Sequence, residues 1–342
     1  LWHPALPQLP AQIQCEFVIV TIPSFAKINL GLRIGPLRED GFHQLRTVYQ
    51  TIGLHDIVSV SVVRGSGIEI RCDDPRVPTD STNTCFSIVE RAMQALKARG
   101  RVVIKIEKRL PVQGGLGGAS GNAVAALLAV ERSLRKRLPM AERLQIAAEV
   151  GSDIPLFLIG GTVLGVGRGE EVYPLPDLPP TTCVIALPEI AISTPKAFAD
   201  WDEEAKLTPS AHSDRMLEFS REISAWLNAV PISGGRRSGV SARGGGRAEN
   251  PLLDLVRTGI ENDFERVVFP KYPELLEVKR VLERTGAQYA SLSGSGSAIY
   301  GLFDSSSQAA AAAKKLVRQG TRALVTSTLT RRQYWKRLQI SD

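Results

Sequence analysis

Three stretches of this sequence carry residue types whose spacing could do chemistry. Gly114 to Asn122 reads GGLGGASGN and lies between an alternating apolar segment and an alanine- and leucine-rich one. Glycines let backbone N–H groups approach an anion closely, and the first turn of a following helix adds the positive end of its dipole, so such a junction suits phosphate oxygens. The stretch is no Walker A sequence, because no Gly-Lys-Ser or Gly-Lys-Thr follows, and it lacks the spacing of a dinucleotide fingerprint. A flexible turn is the alternative reading of the loop alone. The second stretch, Ser291 to Ser297 (SLSGSGS), precedes the apolar run AIYGLF, where a glycine-serine hairpin turn would look the same. The third is Lys27, inside the otherwise apolar SFAKINLGL. Pointing outward it would snorkel into solvent. Pointing inward it would need an anionic partner.

The elements that must position these residues follow from periodicity. Val18 to Thr21 and Lys27 to Ile34 read as early strands. Asp56 to Val63 and Gly67 to Arg71 alternate in period two, which predicts an antiparallel pair joined at Gly65-Ser66-Gly67. A helix over 85–99, capped by Asn83 or Thr84, precedes a strand containing Val102, Ile104 and Ile106. The glycine loop then opens into a helix from Asn122 to about Leu138, and another runs from Met140 to Val150. Asp153-Ile154-Pro155 reads as a further helix start, with Asp as N-cap and Pro in the first turn. A strand is expected at Thr162 to Val166, and a buried one from Val184. Helices are expected near 214–229, 259–268, 273–285 and 307–318, with strands around SLSGSGSAIYGLF and at Arg322 to Ser327. The mixture without a regular β–α repeat predicts an α+β fold.

With 342 residues, 43% of them hydrophobic, the chain can bury a core without staples and suits two domains. The four prolines of 174–180 mark the expected boundary. Domains are therefore expected at 18–178 and 179–342. Residues 1–17 read as a poorly ordered extension without the charged start of a signal peptide. The glycine- and arginine-rich 233–249 reads as a mobile basic loop. Cys15, Cys72, Cys85 and Cys183 form no Cys-x-x-Cys pair, so reduced thiols in a cytoplasmic protein are expected rather than a disulfide or zinc framework. No apolar run approaches the ~18 residues of a membrane span. The net charge of +7 suits an anionic partner, and the sparse aromatics turn that expectation from nucleic acid or a membrane surface toward a phosphorylated metabolite.

In their order along the chain, SFAKINLGLRI, DGFHQLRTVYQ, LPVQGGLGGASGNA, GSDIPLFLIGG, GRGE, STPKAF, ENDFE and SLSGSGSAIYGLF resemble the signatures of the GHMP kinase superfamily, from about Val18 to Phe303. The likeness is greatest to its branch acting on a sugar alcohol that bears cytidine diphosphate, in isoprenoid precursor synthesis. It implies a two-domain fold, with an N-terminal domain like domain 2 of ribosomal protein S5 and a ferredoxin-like C-terminal domain, and ATP with Mg²⁺ between them. By resemblance, Pro111, Val112, Gln113, Gly114, Gly115, Leu116, Gly117, Gly118, Ala119, Ser120 and Gly121 form the phosphate loop. Asp153 is the catalytic acidic residue, so a cap and a general base are both open readings for it. Lys27 pairs with Asp153. Asn29 positions the polyol, Phe42 and Phe198 sandwich the cytosine with His43 at its edge, and Ser293, Gly294, Ser295 and Gly296 shape the substrate side. The chain departs from the family pattern at Gln113 and Ala119, where glycine is usual, at Gly121, where serine is usual, and at Phe42, where tyrosine is usual. Other readings are a kinase for another small alcohol, or a weakly catalytic relative that binds nucleotide or RNA. The resemblance says nothing about oligomeric state.

Overall fold

The computed structural model describes residues 18–207, 211–229, 251–257 and 259–338. The expectations for 1–17 and 233–249 fall outside these residues. Two long strands, β1 (Ile19–Leu37) and β2 (His43–Val63), form an antiparallel hairpin. The two short early strands expected from sequence are one strand of 19 residues, bent by register shifts at Phe25/Ala26, Asn29/Gly31 and Ile34/Leu37. Shifts of this kind curve a strand without ending it.

A β–α–β unit follows, made of β3 (Ile68–Cys72), α1 (Thr84–Ala95) and β4 (Arg101–Glu107). β3 pairs in parallel with β4, and β4 pairs antiparallel with β2. The expected hairpin between residues 56–63 and 67–71 is therefore corrected: β4 lies between those strands. Val102, Ile104 and Ile106 are all buried and need the inner position, whereas in β3 only Ile70 is buried, which suits an edge. Asn83 caps α1, its side chain accepting from Cys85 N at 2.8 Å.

The helix after the glycine loop, α2 (Gly118–Ser133), begins one turn before the expected Asn122. Gly121 N donates to Gly117 O at 2.8 Å. A Cβ on Gly121 would lie 2.8 Å from Phe25 O and 2.9 Å from Ser24 Oγ. Some of the glycine content that reads as loop is thus close packing of a helix against β1. From Gly121 to Glu131 every α2 residue is buried, as expected of a helix that is apolar all round. α3 (Met140–Val150) stops at Gly151. α4 (Leu156–Ile159) is capped by Pro155 without a side-chain hydrogen bond, so the N-cap reading of Asp153 is corrected. β5 (Thr162–Val166) and β6 (Glu171–Pro174) complete the sheet, ordered β3-β4-β2-β5-β6 with β1 on β2.

Residues 175–181 lead to the second sheet. There β7 (Thr182–Leu187) is followed by α5 (Thr194–Leu207), α6 (Ala211–Ala229), α7 (Pro251–Arg257), α8 (Glu265–Lys271) and α9 (Pro273–Arg284). β8 (Tyr289–Leu292), β9 (Ile299–Phe303), α10 (Ser306–Arg318) and β10 (Arg322–Ser327) close an antiparallel sheet ordered β10-β7-β9-β8. That order, with α9 and α10 as crossovers, is the ferredoxin-like split β–α–β arrangement. The helix expected over 259–268 is shortened at its start. Leu32 N donates to Glu261 O at 2.8 Å and Asp263 N to Leu32 O at 2.9 Å, which draws 261–263 out against β1. A last helix, α11 (Arg331–Leu338), returns to the first core through Tyr334 and Leu338. α5, α7, β6 and α11 carry no sequence expectation. Cys85 and Cys183 are free, buried thiols, and burial pushes the Cys85 thiol up to about 12. No helix among the described residues is long and apolar enough to cross a membrane.

One buried carboxylate ties these pieces together. Asp56 on β2 is fully buried and accepts from Lys108 Nζ at 2.6 Å, Arg109 N at 2.7 Å, Leu110 N at 2.8 Å and Asn122 Nδ2 at 3.1 Å. It joins β2 to the entry of the glycine loop and to the first turn of α2. Removing one partner of a buried pair strands the other charge, at a cost of about 3–5 kcal/mol. Asp56→Ala is expected to lower stability by that amount in denaturant unfolding, whereas a loss below about 1 kcal/mol would assign Asp56 the weight of a mere surface pair.

Candidate active site

The glycine loop is a wall between two cavities. On one side a cavity of about 380 Å³ is bordered by Val77, Asn83, Lys108 and the loop. On the other a cavity of about 710 Å³ is bordered by Lys27, Asn29, Phe42, His43, Asp153 and Phe198. Gly115, Gly117 and Ser120 border both. Gly115 and Gly117 have φ of +72° and +68°, which suits glycine. Gln113, at φ +61°, holds the same left-handed backbone with a side chain, which explains why glycine is usual there. The departure at Gly121 is also explained, since the Ser24 hydroxyl already fills the space a side chain would need. Gly121 lines neither cavity. The structure gives no account of Ala119.

The loop is held from both domains. Lys27 N donates to Leu116 O at 3.0 Å from the first. From the second, Ser293 Oγ donates to Gly115 O at 3.0 Å and Ala298 N to Gly114 O at 3.2 Å. Gly294 and Ser295 face the larger cavity, while Ser293 and Gly296 stand behind it. The ENDFE segment supports this turn. Asn262 Nδ2 donates to Leu292 O and Gly294 O, both at 2.8 Å, and Glu265 Oε1 accepts from Ser291 Oγ at 2.7 Å.

Lys27 points inward, with its side chain 3% exposed. Its Nζ lies 3.3 Å from Asp153 Oδ2 and donates to Asn29 Oδ1 at 2.7 Å. Lys27 and Asn29 share a face of β1 because they are two residues apart. Asn29 is oriented in turn, its Nδ2 donating to Thr47 Oγ1 at 2.8 Å. The other Asp153 oxygen accepts from Tyr49 Oη at 2.9 Å. Burial and the neighbouring Asp153 charge push the Tyr49 phenol well above its ordinary value, so it stays a donor at neutral pH. Asp153 is 36% exposed and opens on the larger cavity, one carboxylate held between an ammonium and a phenol. Such a group can accept a proton from a hydroxyl placed against it.

The far end of that cavity is aromatic. His43 lies flat on Phe198, with ring centroids 4.9 Å apart and planes at 10°. His43 Nε2 donates to Asp202 Oδ1 at 2.7 Å. Phe42 is half exposed and lies instead under the Arg168 guanidinium, 4.8 Å from ring centroid to Cζ. In this structure, then, His43 and not Phe42 faces Phe198. The sequence reading missed Tyr49, Asp56, Asp202 and Arg168. Tyr49 had a signal, since its place on a strand opposite Asn29 puts it beside Lys27. The others come together only through tertiary contacts.

The family model for the GHMP kinases N terminal domain matches residues 83–161, and that for GHMP kinases C terminal matches 249–322. The chain is 37% identical over 286 residues to 4-diphosphocytidyl-2-C-methyl-D-erythritol kinase of Solibacter usitatus, covering 82% of this chain and 80% of that one. It is 34% identical to the protein of the same name from Acaryochloris marina, over 86% of this chain and 91% of that one. A crystal structure of 4-(cytidine 5'-diphospho)-2C-methyl-D-erythritol kinase superposes with a TM-score of 0.67 at 28% identity, covering 90% of this chain and 99% of that one.

The loop geometry sets a contrast between two substitutions. A Cβ on Gly115 would lie 2.0 Å from Ser293 O, in a left-handed backbone. Gly115→Ala is expected to push the loop off the Ser293 turn, destabilising the protein by about 1–3 kcal/mol and weakening ATP binding roughly ten-fold. Gln113→Gly is expected to keep ATP binding and stability, since it only releases a left-handed side chain worth about 1–2 kcal/mol of strain against the entropy of a new glycine. Thermal unfolding and ATP titration check both, and equal behaviour of the two variants would contradict this geometry.

Proposed function

This chain belongs to the GHMP kinase family, and on that premise we propose that it transfers the γ-phosphoryl group of ATP to a hydroxyl of 4-diphosphocytidyl-2-C-methyl-D-erythritol, in non-mevalonate isoprenoid precursor synthesis. The observation that carries this reading is the loop shared by two cavities. A phosphoryl donor on one side and an acceptor on the other meet across Gly115 to Ser120. Phosphoryl transfer is largely a matter of positioning and charge neutralisation, which such a wall provides.

ATP lies in the smaller cavity, its phosphates against loop backbone N–H groups and the N-terminus of α2. The acceptor lies in the larger one. Its polyol is held by Asn29 with one hydroxyl against Asp153, which takes the proton as the oxygen attacks phosphorus. Lys27 holds one Asp153 oxygen through the ion pair, and Tyr49 fixes the other. The cytosine enters the aromatic end, taking the place of the His43 ring on Phe198 while Phe42 covers its other face. His43 then moves to the edge of the base. Ser293 to Gly296 hold the loop against the substrate. Among the described residues no three His, Cys, Asp or Glu side chains form a cage for a metal. The donors present suit Mg²⁺ held mainly by the ATP phosphates, since this ion keeps its waters and takes few protein ligands. The Ser120 hydroxyl, which borders both cavities, would hold it there, and it would supply charge neutralisation. The substrates are dissolved anions and the described thiols are free, which supports a cytoplasmic enzyme.

The test is a ³¹P NMR assay with ATP, Mg²⁺ and the cytidylyl substrate. One ADP and one new phosphomonoester per turnover are expected, with no product from homoserine or mevalonate. ADP without phosphomonoester, or a preference for either other alcohol, would overturn the reading. Asp153→Asn is expected to lower kcat about 10²–10⁴-fold with the KM for ATP unchanged. Phe198→Ala is expected to raise the KM for the cytidylyl substrate roughly ten-fold, again without effect on ATP. A rise in the ATP KM would instead put Phe198 at the other cavity.

A further inference from the structure

The end of α2 away from the glycine loop carries a further cavity, of about 370 Å³, that the proposed reaction does not use. α2 spans 16 residues, or about 24 Å, so this cavity is separate from the two that meet at the loop. Arg132, Arg135, Lys136, Arg137 and Arg143 border it, against one carboxylate, Glu131. Glu131 and Arg143 close on each other, both buried. Arg143 Nε donates to Glu131 Oε1 at 2.9 Å and Arg143 Nη2 to Glu131 Oε2, while Leu138 N donates to Oε1 at 2.9 Å. Among the described residues the other four cations have no carboxylate partner. Arg132 Nη1 donates to Leu338 O at 2.9 Å and Lys136 Nζ to Leu96 O at 3.0 Å, which directs both without neutralising them. Arg135 and Arg137 are exposed.

Cations at a helix C-terminus ordinarily answer its dipole and its last carbonyls. Here backbone N–H groups already reach those carbonyls: Leu134 N donates to Val130 O at 2.9 Å, and Arg135 N to Arg132 O and Lys136 N to Glu131 O, both at 3.0 Å. That closure usually has glycine at its left-handed residue, yet Arg135 sits there at φ +53°. A strained arginine on a cavity that its neighbours fill with positive charge marks a site more than a turn. The remaining wall is apolar. Leu128 is buried, and Trp335 Nε1 donates to Ile159 O at 2.9 Å, so the half-buried indole has only ring surface left to offer.

We propose that this cavity binds a small organic diphosphate. Its phosphate oxygens lie on Arg132, Arg135, Lys136 and Arg137, and its apolar or planar remainder lies against Trp335 and Leu128. A monophosphate brings about two negative charges, fewer than the four uncompensated cations here, so a second phosphate fits the charge better. Arginine forks suit several phosphate oxygens at once. A nucleic acid strand would want a longer basic groove with several exposed rings, whereas this is a closed hollow with one half-buried indole. The site stands independently of the function proposed above.

The test is calorimetric titration of the whole chain with orthophosphate, inorganic pyrophosphate and benzyl diphosphate, at about 0.15 M salt to screen loose surface attraction. The wild type is expected to bind benzyl diphosphate more tightly than pyrophosphate, and pyrophosphate more tightly than orthophosphate. Arg137→Gln is expected to weaken pyrophosphate roughly ten-fold, as loss of a hydrogen bond to a charged group does. Arg135→Gly should weaken it similarly while the thermal midpoint holds or rises, because glycine relieves the left-handed backbone. A role in the turn alone would not lower binding in that variant. Pyrophosphate bound at full strength by both variants would place it at another cavity and overturn the proposal. So would orthophosphate bound as tightly as pyrophosphate, no gain from the benzyl group, or no binding by the wild type. An oligoribonucleotide or phosphatidylglycerol vesicle held by the wild type and released by both variants, without pyrophosphate binding, would overturn it in favour of a larger polyanion.

Discussion

An ammonium buried to 3% exposure on a β-strand is the constraint on which the site depends. Left unpaired, such a charge costs several kcal/mol, so the fold must deliver an anion to Lys27. Asp153 is brought from beyond α3 to do so, and Tyr49 and Asn29 fix the geometry from the neighbouring strand and the same face. Stability alone does not explain the arrangement. A purely structural pair gains by closing over both partners, yet Asp153 remains 36% exposed toward the larger cavity. The pair is built so that one partner is fixed and the other is reachable. That is what a general base beside a developing phosphoester requires.

The glycine loop inherits its position from the same residue. Lys27 N bonds Leu116 O, and a Cβ on Gly117 would lie 3.0 Å from Lys27 Cγ. Asp56 pins the loop's entry and the first turn of α2, and the Ser293 turn presses on the loop from the second domain. The two cavities thus share a wall held by three elements. The two sheets need each other for this, since neither closes the wall alone.

The sequence was most legible where chemistry and local pattern coincide. An inward lysine on an apolar strand, a glycine loop at a strand–helix junction, and short strands such as Thr162–Val166 and Arg322–Ser327 all lie where the sequence reading puts them. Legibility failed where non-local contacts overrode local ones. Gly121 of α2 read as loop because its reason, contact with Phe25 and Ser24, lies on β1, far away in sequence. Asp153 looked like a cap because its partners are more than a hundred positions away along the chain. β4 entered between two strands that appeared to form a hairpin, because its burial outranked their proximity. Arg168 and Asp56 carried no periodic signal, and only the folded chain shows what surrounds them.

The most direct test of the account is a double-mutant cycle on Lys27 and Asp153, read as kcat/KM for the cytidylyl substrate. Residues that act as a unit are strongly non-additive. Lys27→Met with Asp153→Asn should therefore be no slower than the worse of the two single variants. If the two losses multiply instead, the lysine and the carboxylate act separately, and the buried pair is not the origin of the chemistry.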